Sequence, residues 1–254
     1  KSSIESFASC KFKYYCSFVL GLNSSKKISF ASNDVGNLAH FVLEKFLKLR
    51  DEKKIDISTL KDAELKEIVD DIVESYIALI CYSTNVSKRL RFLFNKLKKN
   101  LIVYLKNLIN ELVQSDFKDE YHELDMSGDG INTPASLSFK LSNGITVSLN
   151  GVADRIDVYR KGDTAFVRVV DYKSGSDETN IENIETGFGI QLFLYLLTIC
   201  KLEKCDFRDK LLMGADKLTG VSKIAPAGVM YVPMNMDKKN IGRDVDFENS
   251  SVAR

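Results

Sequence analysis

The spacing of apolar residues changes near residue 119, and this change limits the chain to a fold that combines helices with a sheet. Before that point the spacing is helical, and after it short alternating or apolar runs are typical of strands. This order predicts an α/β or α+β architecture, in which a central sheet is flanked by helices and the N-terminal half is helical. The predicted helices are residues 2–20, 34–50, 58–82, 87–114 and 188–202, and the predicted strands are 121–127, 135–141, 145–160, 165–173 and 228–234.

The composition is that of a chain that folds around a core. Of 254 residues, 44% are hydrophobic and 28% are charged, and the net charge of +1 neither favours nor excludes a nucleic-acid partner. We find no signal peptide and no run for a membrane span, so no membrane partner is expected. Five scattered cysteines without a C-x-x-C pair favour a reducing cytoplasm. The chain begins without Met and ends abruptly, which suggests a fragment of a larger protein.

Charge is distributed unevenly along the helical half. Residues 51–74 carry nine acidic and four basic side chains, whereas residues 88–106 carry seven basic side chains and no acidic one. A basic helix can follow the backbone of single-stranded DNA. A solvated helix face can have the same composition, and this simpler interpretation is favoured on charge alone.

Two carboxylates and a lysine lie at the ends of two predicted strands. If these strands pair about the turn at 160–163, Asp154 and Asp171 become neighbours. Carboxylate oxygens are suitable ligands for Mg²⁺. Lys173 follows Asp171 by two positions, so both side chains project from one face, and the lysine could orient a water or offset phosphate charge. An ordinary salt bridge could produce the same short triplet.

Four other polar residues could join these three. His40 on a predicted helix is either structural or the residue that completes a metal site. Glu123 is a carboxylate on the strand before the hairpin, and His122 should face the opposite side if that segment is extended. Gln191 and Tyr195 share one face of an apolar helix, where buried polar groups need partners, and substrate is one candidate.

Five motifs in this order resemble the RecB-type branch of the PD-(D/E)xK nucleases. They are G-x-x-x-H (Gly36, His40), a glutamate (Glu123), G-x-x-D-R-x-D (Gly151 to Asp157), D-Y-K-S-G (Asp171 to Gly175) and Q-x-x-x-Y (Gln191, Tyr195). The opening "SSIESFASCKFKYYCSFVLGL" is similar to the start of the nuclease domain in AddB subunits of bacterial helicase–nucleases. The resemblance covers about residues 2–200, and the ordered set is far more specific than any single motif.

The resemblance implies a restriction-endonuclease-like core and a metal-dependent mechanism. Mg²⁺ or Mn²⁺ would be held by His40, Asp154, Asp171 and the backbone carbonyl of Tyr172. The implied catalytic set comprises Asp154, Asp171, Lys173, Glu123, Gln191 and Tyr195. In it Lys173 positions the attacking water, and Gln191 and Tyr195 contact DNA or steady the site. The resemblance supports a role for Glu123 least, since this carboxylate could lie behind the metal ligands rather than bind the metal itself. Arg155 would bind phosphate or pair with Asp157, and the pair is favoured.

The same resemblance implies the biological context. It predicts one nuclease domain over residues 1–254, with a helical lobe at about 44–115 and a nuclease core at about 116–235. The activity would be exonucleolytic, on single-stranded or duplex DNA ends, in double-strand break repair with a helicase–nuclease partner subunit. A stand-alone phage or CRISPR-associated exonuclease and a non-catalytic DNA-binding module of the same fold are the alternatives.

The cysteines depart from the AddB pattern. In AddB the opening cysteine joins three C-terminal cysteines around a [4Fe–4S] cluster, and Cys10 matches the first of these, although Lys11 replaces the usual proline. Cys200 and Cys205 are not spaced as C-x-x-C, and one cysteine cannot hold a cluster. A cluster is therefore expected only in a longer parent chain, and Cys10 and Cys16 are expected to be small buried side chains. Residues 201–227 carry no recognisable motif.

Overall fold

The computed structural model describes most of the chain. Ser174 and Gly175 of the D-Y-K-S-G motif, Cys81 and residue 235 lie outside the described residues, as do the side chains of the bases at 88–91. The described residues are 3–22, 32–80, 88–128, 134, 137–140, 142–173, 184, 189–203, 205–214 and 220–234, without the side chains of 32–35, 80, 88–91, 137, 139 and 149.

The element order agrees with a helical first half and a mixed second half. The helices are α1 (Ser3–Ser9), α2 (Lys11–Tyr14), a π-helix (Tyr15–Val19), α3 (Ser32–Lys53), α4 (Asp62–Ile80), α5 (Lys88–Gln114), α6 (Gln191–Cys200) and α7 (Asp206–Met213). The strands are β1 (Lys118–Asp125), β2 (Leu137–Lys140), β3 (Thr146–Leu149), β4 (Val152–Lys161), β5 (Thr164–Lys173) and β6 (Lys223–Pro233). Of the described helices, none combines the length and apolar character needed to cross a membrane.

The N-terminal helix predicted at 2–20 is interrupted at Cys10. This residue is extended, with φ −160°, and its sulfur accepts the N–H of Lys13 at 3.5 Å as the N-cap of α2. The cap geometry places Cys10 on the surface, so the expectation that Cys10 is buried is wrong, while Cys16 is half-buried.

Four strands form a mixed sheet in the order β1-β4-β5-β6. The pairs β1–β4 and β4–β5 are antiparallel and β5–β6 is parallel, so α6 and α7 supply the crossover that a parallel pair requires. Lys161 pairs with Thr164 across a two-residue turn, in which Gly162 has the positive φ of 61° that such turns favour. The predicted mixed sheet and the hairpin at 160–163 are confirmed, and β2 and β3 form a separate hairpin.

Helices cover both faces of the sheet because successive residues of β4 and β5 point to opposite sides. One face packs against α3, α4 and α5, and its core includes Leu38, Phe46, Leu105, Val170 and Tyr172. The other face packs against α6 and α7, and its core includes Ile156, Val169, Leu192, Ile199 and Leu211. Burial of each such side chain stabilises the fold by roughly 1.5–3 kcal/mol, so both layers hold the hairpin in place.

Three further differences from the sequence predictions concern β3 and β4, α7 and β6. The run 145–160 contains two strands, β3 and β4, rather than one. The helix α7 was missed, because only three buried side chains, Phe207, Leu211 and Leu212, mark its apolar face. β6 begins five residues earlier than predicted, since Pro226 and a bulge before Gly228 conceal the strand pattern.

The basic stretch of α5 lies against the acidic helix α4. Nζ of Lys98 is 3.2 Å from Oδ1 of Asp70 and 3.0 Å from Oε1 of Glu74. Nζ of Lys106 is 2.6 Å from Oδ2 of Asp62. Two of the seven basic side chains of this stretch thus form ion pairs with the neighbouring helix.

Candidate active site

The β4–β5 hairpin brings Asp154 and Asp171 to the same end of the sheet. Arg155 pairs with Val170, and Asp154 and Asp171 are the residues that follow this pair on the two antiparallel strands. The backbone N–H of Tyr172 donates to Oδ2 of Asp154 at 2.8 Å. The two carboxylates are therefore neighbours, as the sequence predicted from the position of the turn.

His40 and Glu123 complete a cluster of possible metal ligands around Asp154. Nδ1 of His40 is 3.5 Å from Oδ2 of Asp154 and 3.8 Å from Oε1 of Glu123. One ligand atom from each of the three lies within 4.8 Å of the others. An imidazole nitrogen with carboxylate oxygens is a donor set that suits Mn²⁺ or Mg²⁺. These residues therefore suit the divalent cation predicted from the sequence. Glu123 lies among the possible ligands, although its role had the least support from the sequence.

Glu123 reaches this cluster through an irregular backbone. Its φ is 49°, a left-handed value that residues other than glycine seldom adopt. The flanking residues Leu124 and His122 still pair with β4. His122 contacts Asp119 rather than the cluster, with Nε2 3.0 Å from Oδ2. Strained backbone is concentrated at functional sites, so this feature points to a role for the Glu123 carboxylate.

The environment of Asp154 disfavours its negative charge. Burial and the charge of Asp171 raise the pKa of the Asp154 carboxyl to about 6, although His40 and the N–H of Tyr172 act in the opposite direction. A cation between these groups would stabilise the ionised form. A positive charge at this position would therefore offset the repulsion between the two carboxylates.

The imidazole of His40 responds to the same carboxylates. Burial lowers the pKa of the His40 imidazole, but the nearby Glu123 carboxylate and the charges of Asp154 and Asp171 outweigh burial and raise it. A proton and a metal ion would therefore compete for this group.

Lys173 lies beside the second carboxylate. Its Nζ is 2.7 Å from Oδ2 of Asp171, and its side chain is 44% exposed. Tyr172, between the two, points to the opposite face, where its hydroxyl accepts from Nη1 of Arg155 at 3.1 Å. The D-x-K segment therefore presents one carboxylate and one accessible ammonium together, as the strand periodicity predicted.

Gln191 and Tyr195 lie on α6, above the start of β4. Nε2 of Gln191 donates to the hydroxyl of Tyr195 at 2.6 Å. The two polar side chains on this apolar helix face are thus partners of each other, which accounts for part of the hydrogen bonding that they need. Burial raises the pKa of Tyr195 despite that hydrogen bond, and the charges of Asp154 and Asp171 add to the increase. A β-carbon on Gly151 would overlap the tyrosine hydroxyl. The glycine of the G-x-x-D motif thus allows Tyr195 to approach the hairpin.

Arg155 belongs to a buried ion-pair network behind the site. Arg155 and Asp157 are fully buried, with Nε 2.8 Å from Oδ1, so the favoured pairing with Asp157 is present. Nη2 of Arg155 is also 2.9 Å from Oε1 of Glu111 on α5, and Arg168 contacts both acids. Sequence reasoning missed Glu111, because nothing local distinguishes it from other helical glutamates. Full burial removes Arg155 as a phosphate contact.

The described cysteines stand outside the cluster of metal ligands. Cys200 is half-buried at the end of α6, where burial raises the pKa of its thiol. The sulfur of Cys205 accepts the N–H of Arg208 at 3.5 Å and so caps α7. The contacts of Cys205 and of Cys10 are thus those of helix caps.

The chain is similar to curated proteins along most of its length. The family model of the PD-(D/E)XK nuclease superfamily matches residues 1–247. A subunit of the ATP-dependent helicase/deoxyribonuclease of Clostridium acetobutylicum is 31% identical over 218 residues, which are 84% of this chain and 18% of that protein. The corresponding proteins from Clostridioides difficile and Clostridium kluyveri, which have the same name, are 30% and 29% identical over 97% and 94% of this chain, and 20% of each relative.

The chain spans about a fifth of the length of these relatives. The family match extends over nearly the whole sequence, and the ordered motifs identified in the sequence lie within it. The mixed sheet with flanking helices is consistent with the same fold. The chain belongs to the PD-(D/E)XK nuclease superfamily.

Proposed function

We propose that this chain is a metal-dependent nuclease domain that hydrolyses phosphodiester bonds in DNA. The observation that carries the proposal is the convergence of His40, Glu123 and Asp154 within 4.8 Å, next to the Lys173–Asp171 pair. Family membership supports phosphodiester chemistry. The name deoxyribonuclease, carried by the relatives, supports DNA as the substrate.

Each side chain has a proposed role. His40, Asp154, Asp171 and the carbonyl of Tyr172 would hold Mg²⁺ or Mn²⁺, and Glu123 would be a further ligand or orient one. When bound, the cation would supply Lewis acidity and lower the pKa of the attacking water. Lys173 would position that water and offset negative charge on the phosphate. Gln191 and Tyr195 would hold the DNA strand or steady the hairpin.

The wider context rests on the relatives. We place the chain, as one nuclease domain with a helical lobe at about 44–115 and a core at about 116–235, within a larger cytoplasmic AddB-type protein. In that setting it would act as an exonuclease on DNA ends during double-strand break repair, together with a helicase–nuclease partner subunit. A [4Fe–4S] cluster through Cys10 would need cysteines from the parent chain.

The test is cleavage of end-labelled single-stranded and duplex DNA with Mg²⁺, Mn²⁺ or EDTA. Wild type should cleave with a metal and not with EDTA, and Lys173→Ala should lower the rate by about a hundredfold or more, because transition-state charge loses its partner. Lys161→Ala is the matched control, since Lys161 is an exposed lysine at the other end of the same hairpin. Progressive shortening from an end would identify an exonuclease.

Two results would contradict the proposal. Cleavage that persists with EDTA would exclude the cation, and equal rates for Lys173→Ala and wild type would exclude the role of Lys173. A folded protein that binds DNA without cleaving it under any metal condition would favour the non-catalytic module.

A further inference from the structure

A groove of about 590 Å³ opens beside the candidate active site. It lies between α1, α2, the β2–β3 hairpin and α6, and its walls include Phe7, Tyr14, Val147, Val152, Gln191 and Tyr195. Its volume is within the range of small-ligand sites. The proposed reaction gives a role to Gln191 and Tyr195 but to none of the other residues that line this groove.

The walls are apolar and aromatic rather than basic. The ring centroids of Phe7 and Tyr14 are 5.3 Å apart and nearly perpendicular, and Tyr14 stacks on Phe18 at 5.1 Å. Phe7, Val147 and Val152 are 48%, 40% and 45% exposed. No charged side chain is among the described residues that line the groove. The aromatic rings suit the flat face of a nucleobase, and the ammonium of Lys11 lies 5.6 Å from the centroid of the Phe7 ring.

The groove shares Gln191 and Tyr195 of α6 with the candidate active site. The Tyr195 hydroxyl rests on Gly151, three residues before Asp154 in the chain. A strand whose phosphate lay at the metal ligands could therefore place an adjacent base in the groove. These shared residues favour a DNA strand over an unrelated ligand.

The aromatic wall is held in position by a contact with the α6 side of the fold. The backbone N–H of Gly189 donates to Oε1 of Glu5 on α1 at 3.3 Å. The carbonyl of Gly189 in turn accepts the hydroxyl of Tyr231 on β6 at 3.0 Å. The α1 helix is thus connected to the sheet that carries the site, so Phe7 has a defined position relative to it.

We propose that this groove binds an unpaired nucleobase of the strand being cut, which stacks on one of the two perpendicular rings of Phe7 and Tyr14 and meets the other at its edge. The inference rests on the proposed nuclease function and adds a base-binding site to it. A base inside the groove cannot remain paired or stacked in a duplex, so the groove selects single-stranded DNA over duplex. Stacking on aromatic rings tolerates any base, as a nuclease without sequence preference requires.

The test measures binding apart from cleavage. Fluorescence anisotropy in EDTA follows a short labelled oligothymidylate, a duplex of the same length, and an oligomer of abasic deoxyribose phosphates. Tyr14→Ala and Phe7→Ala should each weaken oligothymidylate binding by about tenfold, while abasic oligomer and duplex bind the variants as they bind wild type. Tyr14→Phe, which keeps the ring, should restore binding.

Phe12→Ala is the matched control. Phe12 is 76% exposed on the neighbouring turn of the same segment and is not among the described groove residues. Its loss should leave oligothymidylate affinity unchanged. Equal loss in Phe12→Ala and Tyr14→Ala would overturn the proposal, because it would indicate a general apolar effect.

Two further outcomes would also overturn it. One is unchanged oligothymidylate binding in both Phe7→Ala and Tyr14→Ala, which would show that neither ring contacts a base of the bound strand. The other is equal weakening with the abasic oligomer, which would show that backbone rather than base is recognised. Because binding is measured without metal, a failure of the nuclease proposal would appear in the cleavage assay alone.

Discussion

The hydroxyl of Tyr195 occupies the space that a β-carbon on Gly151 would need. The position of α6 over β4 therefore depends on a glycine at the first position of the motif that leads to Asp154. Tyr195 is only 5% exposed and its hydroxyl accepts from Gln191, so the ring has little freedom to move away.

Gly151→Ala should lower the free energy of unfolding by about 1–3 kcal/mol, because overpacking forces the tyrosine from its rotamer. Tyr195→Phe removes the overlapping oxygen. Urea denaturation of the two single variants and the double variant should show that alanine costs less in the phenylalanine background, since contacting residues are not additive. Strict additivity would mean that the two residues do not meet.

The raised pKa of Asp154 predicts a pH dependence of stability without metal. Because the folded pKa of about 6 exceeds the ordinary value of 3.8, Asp154 adds stability below pH 3.8 that is lost as the pH rises through about 6. In EDTA, the stability of wild type relative to Asp154→Asn should fall by on the order of 2 kcal/mol between about pH 4 and about pH 7. Urea titrations at each pH measure this difference. A difference that stays constant would mean that Asp154 has an ordinary pKa.

A divalent cation should reverse this effect. Mn²⁺ at about a hundred times its dissociation constant should stabilise wild type by about 2.7 kcal/mol near pH 7, and the gain should shrink below pH 6 as protons displace the metal. His40→Ala and Asp154→Asn should lose most of the gain. Asp163→Asn is the control, because Asp163 is an exposed carboxylate that pairs with Lys223 at the far end of β5. Thermal unfolding with and without Mn²⁺ checks the prediction, and an equal gain in all variants would place the metal elsewhere.

The buried pair of Arg155 and Asp157 should be costly to break. Arg155→Met leaves Asp157 buried and paired with Arg168 among the described residues, and should destabilise the fold by about 3 kcal/mol. Lys98→Met removes two ion pairs whose carboxylates, Asp70 and Glu74, are 43% and 67% exposed, and should cost at most about 1 kcal/mol. Chemical denaturation of the two variants gives the comparison, and similar losses would contradict the importance of burial.

Much of the fold and part of the site follow from local sequence patterns. The spacing of apolar residues predicted the long helices, because one face of each must be buried. The turn at 160–163 set the register of β4 and β5, and this register alone makes Asp154 and Asp171 neighbours. Strand periodicity then placed Lys173 on the face of Asp171.

Only the tertiary structure decided the features that depend on distant contacts. The positive φ of Glu123, which turns its carboxylate toward His40, breaks the alternation from which strand faces are predicted. Glu111 meets Arg155 only because α5 packs on the sheet. The groove at Phe7 and Tyr14 exists because α1 docks beside α6, a contact between residues far apart in the chain. Sequence periodicity reports which face of an element is buried, whereas packing determines which partner it meets.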